Sequence, residues 1–126
     1  MKASKVRLLT DCWFEISQSE GYSININKVQ KVAKDTCEVL KFYSKEDSVP
    51  KEIAYLIFIM NQFDSTAFHL RDSEYDSLYR HIIDIICLIT EAFFTDDFEN
   101  SDHWGDNVKV ESGNVQGKCA IPSGGW

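Results

Sequence analysis

The feature that most constrains the fold is an apolar stripe with helical spacing in the middle of the chain. It runs from about residue 72 to residue 94 without a glycine or a proline. Its members recur every three or four residues, and they are Tyr75, Leu78, Ile82, Ile85, Ile89 and Phe93. Such spacing places them on one face of a helix. The segment 82–89 has the composition of a buried strand, which would make the class α+β, but about twenty unbroken residues exceed the usual strand length.

Two earlier segments repeat the helical pattern. In the first, from about Lys5 to Glu20, four apolar residues share one face. They are Val6, Leu9, Trp13 and Ile16. Gly21 is a natural stop for that helix. The second segment runs from about Asn27 to Tyr43, with Asn27 in a capping position. Residues 22–26 alternate apolar and polar side chains, a pattern typical of extended backbone.

The remaining helical segment is apolar around most of its circumference. Ser48 and Pro50 come just ahead of it and are helix-start signals. Residues 53–63 contain few polar positions. A helix of this kind is typical of the centre of a bundle.

The composition changes near residue 100, and this change predicts the domain organisation. Five of the six glycines fall in the last part of the chain, and residues 108–116 are compatible with a small β-hairpin. We therefore expect a mainly α fold. A bundle of about four helices would occupy residues 1–100, and an irregular glycine-rich segment would occupy residues 101–126.

The charge of the chain excludes several classes of function. The 126 residues include 13 basic and 20 acidic side chains, which gives a net charge of −7. A nucleic-acid binder needs a basic face to neutralise phosphates, and so does a protein that docks on an anionic membrane. No apolar run approaches the length of a membrane span or of a signal peptide, so we expect a cytoplasmic protein with reduced thiols.

No motif for catalysis or metal binding is present in the sequence. The three histidines do not pair with cysteines at zinc spacing, and no nucleophile elbow or phosphate-binding glycine loop occurs. His81 is expected to be a packed or half-exposed residue of a helix face. Cys37 and Cys87 fall on apolar faces and are expected to be core residues, whereas Cys119 is expected to be exposed. The sequence thus predicts no enzyme, no cofactor and no metal site.

The negative charge is concentrated where the last helix ends. Residues 52–126 carry four basic and thirteen acidic side chains, whereas residues 1–51 carry nine and seven. Seven residues of this region are the candidate partner contacts: Glu91, Asp96, Asp97, Glu99, Asp102, Trp104 and Asp106. One interpretation is a solvated helix end with its aromatic rings folded inward. The other is an acidic patch with aromatic anchors, which suits a basic protein partner.

Three function classes follow from this pattern. In size and charge the chain is similar to toxin-immunity proteins, so the first is an immunity or antitoxin-type inhibitor of a basic protein, such as a bacterial nuclease toxin. The second is a structural or adaptor domain that forms a homodimer through the apolar helix at 53–60. The third is a phage protein that imitates nucleic acid to block a defence complex, a hypothesis that the slightly basic N-terminal half weakens.

Overall fold

The computed structural model describes residues 3–98, and within them the fold is mainly α. The helices are α1 (Ala3–Gln18), α2 (Ile26–Tyr43), α3 (Lys51–Asn61), the one-turn α4 (Phe63–Thr66) and α5 (Asp76–Thr95). Two 3₁₀ turns lie at Gly21–Ser23 and Phe68–Leu70. Residues 3–98 contain no strand. The predicted bundle of about four helices is therefore confirmed, and the segment 82–89 is helical.

The predicted apolar stripes form the core of the bundle. Helix α1 packs against α3 and also contacts α2 and α4, while α5 packs against α2 and α3. One polar connection crosses this core. The indole N–H of Trp13 donates to the Thr36 hydroxyl at 3.0 Å, and that hydroxyl donates to the Val32 carbonyl at 2.7 Å. Because Trp13 and Thr36 are fully buried, this pairing satisfies an indole donor that water cannot reach.

Helices α2 and α5 lie side by side and run in the same direction. Just before their N-terminal ends, Gly21 meets the ring of Tyr75, so closely that a β-carbon on Gly21 would overlap the ring atoms. Just after their C-terminal ends, the Ser44 hydroxyl donates a hydrogen bond to the Asp96 carboxylate at 2.7 Å. Contacts at matching ends define a parallel pair. Both helix dipoles therefore point their negative ends to the same side of the molecule.

The starts of two elements differ from the predictions. Asn25, and not Asn27, caps α2, because the Asn25 side chain accepts the backbone N–H groups of Asn27 at 2.9 Å and Lys28 at 3.3 Å. The helix thereby includes Ile26, which is 1% exposed and packs in the core. The predicted extended piece at 22–26 is confirmed only for Ile24 and Asn25, whose backbone is extended. Its other residues are helical, since Gly21–Ser23 form a 3₁₀ turn that brings Gly21 onto Tyr75, and Ile26 begins α2.

Helix α3 was expected to be central and enclosed, and that expectation is wrong on one side. Ile53, Leu56 and Met60 are buried, whereas Tyr55 is 55% and Phe58 is 57% exposed. The two exposed rings are stacked, with their centroids 6.5 Å apart. The helices that pack against α3 leave this side uncovered. The apolar composition of α3 predicts a central helix, but two of its aromatic rings are exposed to water.

The predictions for the glycine-rich segment fall on residues outside the described part of the chain. These are the hairpin at 108–116, the boundary near residue 100 and the exposure of Cys119. They remain predictions.

Candidate functional site

The predicted partner contacts begin at the end of α5. Glu91 is exposed on the last turns of that helix, and Asp96 and Asp97 are exposed immediately after it. The other four predicted contacts lie outside the described residues: Glu99, Asp102, Trp104 and Asp106. The structure therefore brings three of the seven carboxylate and aromatic candidates together at one end of the bundle.

Helix α5 ends with Asp96 in the left-handed conformation, at φ 54° and ψ 40°. The backbone N–H of Asp96 bonds to the Phe93 carbonyl at 3.4 Å, and that of Asp97 bonds to the Ala92 carbonyl at 3.0 Å. This pair of bonds is a Schellman motif, where glycine is the usual residue. A β-carbon disfavours the left-handed conformation by about 1 kcal/mol. Among residues 3–98, Asp96 is the one non-glycine residue with a positive φ.

A joint between the ends of α2 and α5 holds Asp96 in place. Its carboxylate accepts the hydrogen bond from Ser44, the residue that ends α2. Next to this bond, the Lys41 ammonium lies 5.8 Å from the centre of the Phe98 ring, and Phe98 packs on the core. The positions of the carboxylate and of the chain that leaves α5 are thus set by contacts with α2.

Two phenylalanine rings are exposed at the same end. Phe94 is 70% exposed and meets Phe93 edge-on at 5.2 Å, and Phe42 is 56% exposed and meets Tyr43 edge-on at 5.0 Å. We call the group of exposed residues at this end the end surface. It consists of Phe42, Glu91, Phe94, Asp96 and Asp97.

The end surface carries negative charge from its carboxylates and from the ends of two helices. Each helix C-terminus carries about half a negative elementary charge, and the parallel arrangement places two such ends together. Three carboxylates are added to them. Lys41 and Lys45 from the end of α2 offset part of this charge. A cation brought to this surface by a partner would therefore be favoured over an anion.

The sequence predicted the carboxylates of the end surface as candidates but not the residues that α2 contributes. Phe42 and Ser44 were not candidates, because nothing in the local sequence states which helix end lies beside α5. The interpretation in which the aromatic rings fold inward holds for Phe93, which is 6% exposed, and fails for Phe94. One sequence signal could have predicted the exposure of Phe42. It lies next to Tyr43 and therefore one residue outside the apolar stripe of α2.

Elsewhere in α5, His81 is packed inside the bundle. It is 2% exposed, and neither ring nitrogen has a hydrogen-bond partner among the described residues. Burial lowers the pKa of His81 to about 4. The imidazole is therefore neutral near pH 7 and belongs to the core.

The cysteines show no activated thiol. Cys37 is buried as predicted, but Cys87 is exposed, which contradicts its expected place in the core. Helix α5 is amphipathic, and Cys87 lies beside its buried stripe. The pKa values of Cys12 and Cys87 are both raised, mainly because the thiols are partly buried. A raised pKa reduces the thiolate fraction, and the thiolate is the reactive form.

Within residues 3–98, no three histidine, cysteine or carboxylate side chains are grouped so that they could hold a metal ion. In the same range, no helix combines the length and the apolar character that crossing a membrane requires.

Comparison with family models, curated proteins and solved structures finds no match. The function therefore has to be inferred from the chain's own residues.

Proposed function

We propose that this chain is a non-catalytic inhibitor of the immunity or antitoxin type, which binds a basic protein through the end surface. One observation carries the proposal. Two exposed phenylalanine rings and three exposed carboxylates share the end of the bundle where two parallel helices finish. Aromatic anchors next to charged groups are the usual ingredients of a protein-binding surface.

The rings are suited to binding because they are already ordered. Phe94 and Phe42 each project from a long helix and each pack edge-on against a neighbouring ring. Little side-chain entropy is then lost when a partner covers them. Truncating a well-covered aromatic anchor typically weakens a complex by about 2 kcal/mol or more.

The charge of the end surface indicates the chemistry of the partner. Carboxylates and negative helix ends attract lysine and arginine side chains and accelerate their encounter with the surface. Nucleases commonly have such basic faces, because they bind phosphates. A nuclease toxin is therefore our candidate partner, with the carboxylates occupying the positions of phosphates.

The residue type at position 96 supports a role beyond stability. A glycine there would relieve the left-handed backbone, and it would remove a carboxylate from the negative end of the α5 dipole. Position 96 is instead an aspartate, whose carboxylate accepts a hydrogen bond from Ser44 at 2.7 Å. Local strain of this kind is often found at binding sites.

Two double variants of equal charge test the proposal. Glu91→Lys with Asp97→Lys reverses the end surface and leaves the Asp96–Ser44 bond intact. Asp11→Lys with Glu15→Lys makes the same charge change at two exposed positions of α1, away from the end surface. Each protein is immobilised and exposed to a lysate of its source organism at low salt and at about half-molar salt, where screening is strong.

We expect the natural protein and the α1 variant to retain a basic protein at low salt, and the end-surface variant to lose it. We expect the retained protein to cut nucleic acid and to be inhibited by added natural chain in stoichiometric amount. Equal retention by both variants would refute binding at the end surface. A retained protein without nuclease activity would refute the toxin as partner.

The uncovered side of α3 favours a second candidate, a domain that self-associates. Its stacked rings at Tyr55 and Phe58 are more than half exposed and lie on a different helix from the end surface. Sedimentation equilibrium on Tyr55→Ser with Phe58→Ser tests this candidate, with Phe94→Ser as the control. A dimer that the α3 variant abolishes and Phe94→Ser preserves supports self-association, and a natural protein that stays monomeric excludes it.

A further inference from the structure

A cavity of about 560 Å³ opens between the end of α3, α4 and the N-terminal half of α5. This volume is sufficient for a small organic ligand. Cys87 lies at its edge, and Asp96 lies nine residues further along the chain. At 1.5 Å per residue these two positions are about 13 Å apart along the helix axis. The cavity is therefore separate from the end surface.

The inner wall of the cavity is apolar. Ile83 and the edge of the Tyr79 ring supply its accessible apolar surface, and the buried side chains of Met60 and Ile86 lie behind them. The Tyr79 hydroxyl donates hydrogen bonds to Asp64, to its carboxylate and, at 3.3 Å, to its carbonyl. Burial, followed by the contact with Asp64, raises the pKa of Tyr79 to about 12, so the phenol stays neutral.

Four carboxylates and two guanidinium groups also line the cavity, and the guanidinium groups have other partners. Arg80 donates to Asp76 at 2.8 Å, one turn away on α5. Arg71 lies over the Phe68 ring at 4.8 Å from its centre. The ion pair of Arg80 and Asp76 is neutral in sum, so the remaining lining groups carry an excess of negative charge.

That excess is two charges, because the carboxylates of Asp64, Asp72 and Asp84 stand against the guanidinium of Arg71. Asp84 is half-buried, and no hydrogen bond to its carboxylate is found among residues 3–98. Burial raises the pKa of Asp84, and the field of Arg80 opposes that shift in part. A partly desolvated carboxylate beside an apolar wall is favourable for a cation that brings its own apolar stem.

We propose that this cavity binds an aliphatic ammonium or guanidinium group carried on an apolar stem. The stem lies against Ile83 and the edge of the Tyr79 ring, and the cationic head lies between Asp84 and Asp64. A free amine or guanidine and a lysine or arginine side chain share this chemistry. The inference goes beyond the inhibitor function and does not depend on it, since no residue of the end surface takes part.

Cys87 provides a readout inside the full-length protein. Its rate of modification is measured with two methanethiosulfonates, one with a trimethylammonium group and one with a sulfonate group. Peptide mass spectrometry follows Cys87 alone, and both rates are divided by those of a free small thiol. The raised pKa of Cys87 slows both reagents equally, so their ratio reports the charge preference of the cavity.

We expect a ratio of about tenfold or more in favour of the cationic reagent, because charged clefts concentrate counter-ions by that factor. Asp84→Asn should reduce the ratio at least about threefold. Asp11→Asn, an exposed position on α1, makes the same change in net charge and should leave the ratio unchanged. An equal response of the two variants, or a ratio near one in the natural protein, would overturn the proposal.

Protection experiments identify the source of the cation and do not need a variant. Agmatine serves as the free small cation, a capped arginine amide as the side chain, and butyrate as the anionic control. Protection of Cys87 by agmatine alone assigns the site to a free metabolite-like cation, and protection by both assigns it also to a side chain. If neither cation slows the modification more than butyrate does, the cavity is not a cation site.

Discussion

The buried histidine of α5 makes a quantitative prediction about acid stability. The unfolded chain binds a proton at His81 with the ordinary pKa of 6.5, whereas burial lowers the pKa of the folded protein to about 4. The unfolded state therefore takes up the proton first as the pH falls. The contribution of His81 to stability is present above pH 6.5 and is lost as the pH falls to about 4.

The magnitude follows from the size of the shift. One pKa unit corresponds to 1.36 kcal/mol, so lowering the pH from about 7.5 to about 4 reduces the free energy of unfolding by about 3 kcal/mol through this group. His81 is 2% exposed, so solvent screening does not weaken the effect substantially. A loss of this size is a large fraction of the stability of a small domain.

Urea unfolding followed by circular dichroism at both pH values measures the loss. Carboxylates also titrate in this range, so the informative quantity is the difference between the natural protein and His81→Leu. We expect the variant to lose about 3 kcal/mol less than the natural protein. His81→Met provides the same comparison if leucine repacks poorly. The same pH dependence in all three proteins would refute the buried neutral histidine.

Three further substitutions probe the packing and the end surface. Gly21→Ala should lower the free energy of unfolding by about 1–3 kcal/mol, because its β-carbon overlaps the Tyr75 ring, and an unchanged urea midpoint would disprove that contact. Thr36→Val should cost about 1–3 kcal/mol by leaving the indole N–H of Trp13 buried without an acceptor, which thermal unfolding would detect as a lower Tm. Asp96→Gly should raise stability by about 0.5–1 kcal/mol and weaken capture of a basic partner, since strain and dipole repulsion disappear together with the carboxylate. A less stable Asp96→Gly protein would contradict this account of the helix end.

The number and type of the long helices were predictable from the sequence. The stripes of α1 and α5 repeat every three or four residues, and this spacing reports directly which face is buried. Length separated helix from strand at 82–89. Local signals located the caps less well, because Asn25 and Asn27 are equally good capping residues, and the burial of Ile26 decides between them.

The arrangement of the helices was not predictable in the same way. Periodicity says that a face is buried but not which neighbour covers it. The exposure of Tyr55 and Phe58 depends on which sides of α3 are covered by α1, α4 and α5, and the meeting of Ser44 with Asp96 depends on the parallel pairing of α2 with α5. That pairing is a tertiary feature, and so the residues that α2 contributes to the end surface were missed.

The parallel pairing of α2 with α5 also determines when the protein can fold during its synthesis. Helix α5 is the last described helix, and it covers faces of both α2 and α3. The 34 residues from Gln62 to Thr95 must therefore be made after α3 before those faces are closed. At about 5–20 residues per second, a nascent chain spends about 2–7 s with apolar helix faces open to chaperones and to other chains. A chain stopped before α5 is then an aggregation-prone fragment and not a smaller stable bundle.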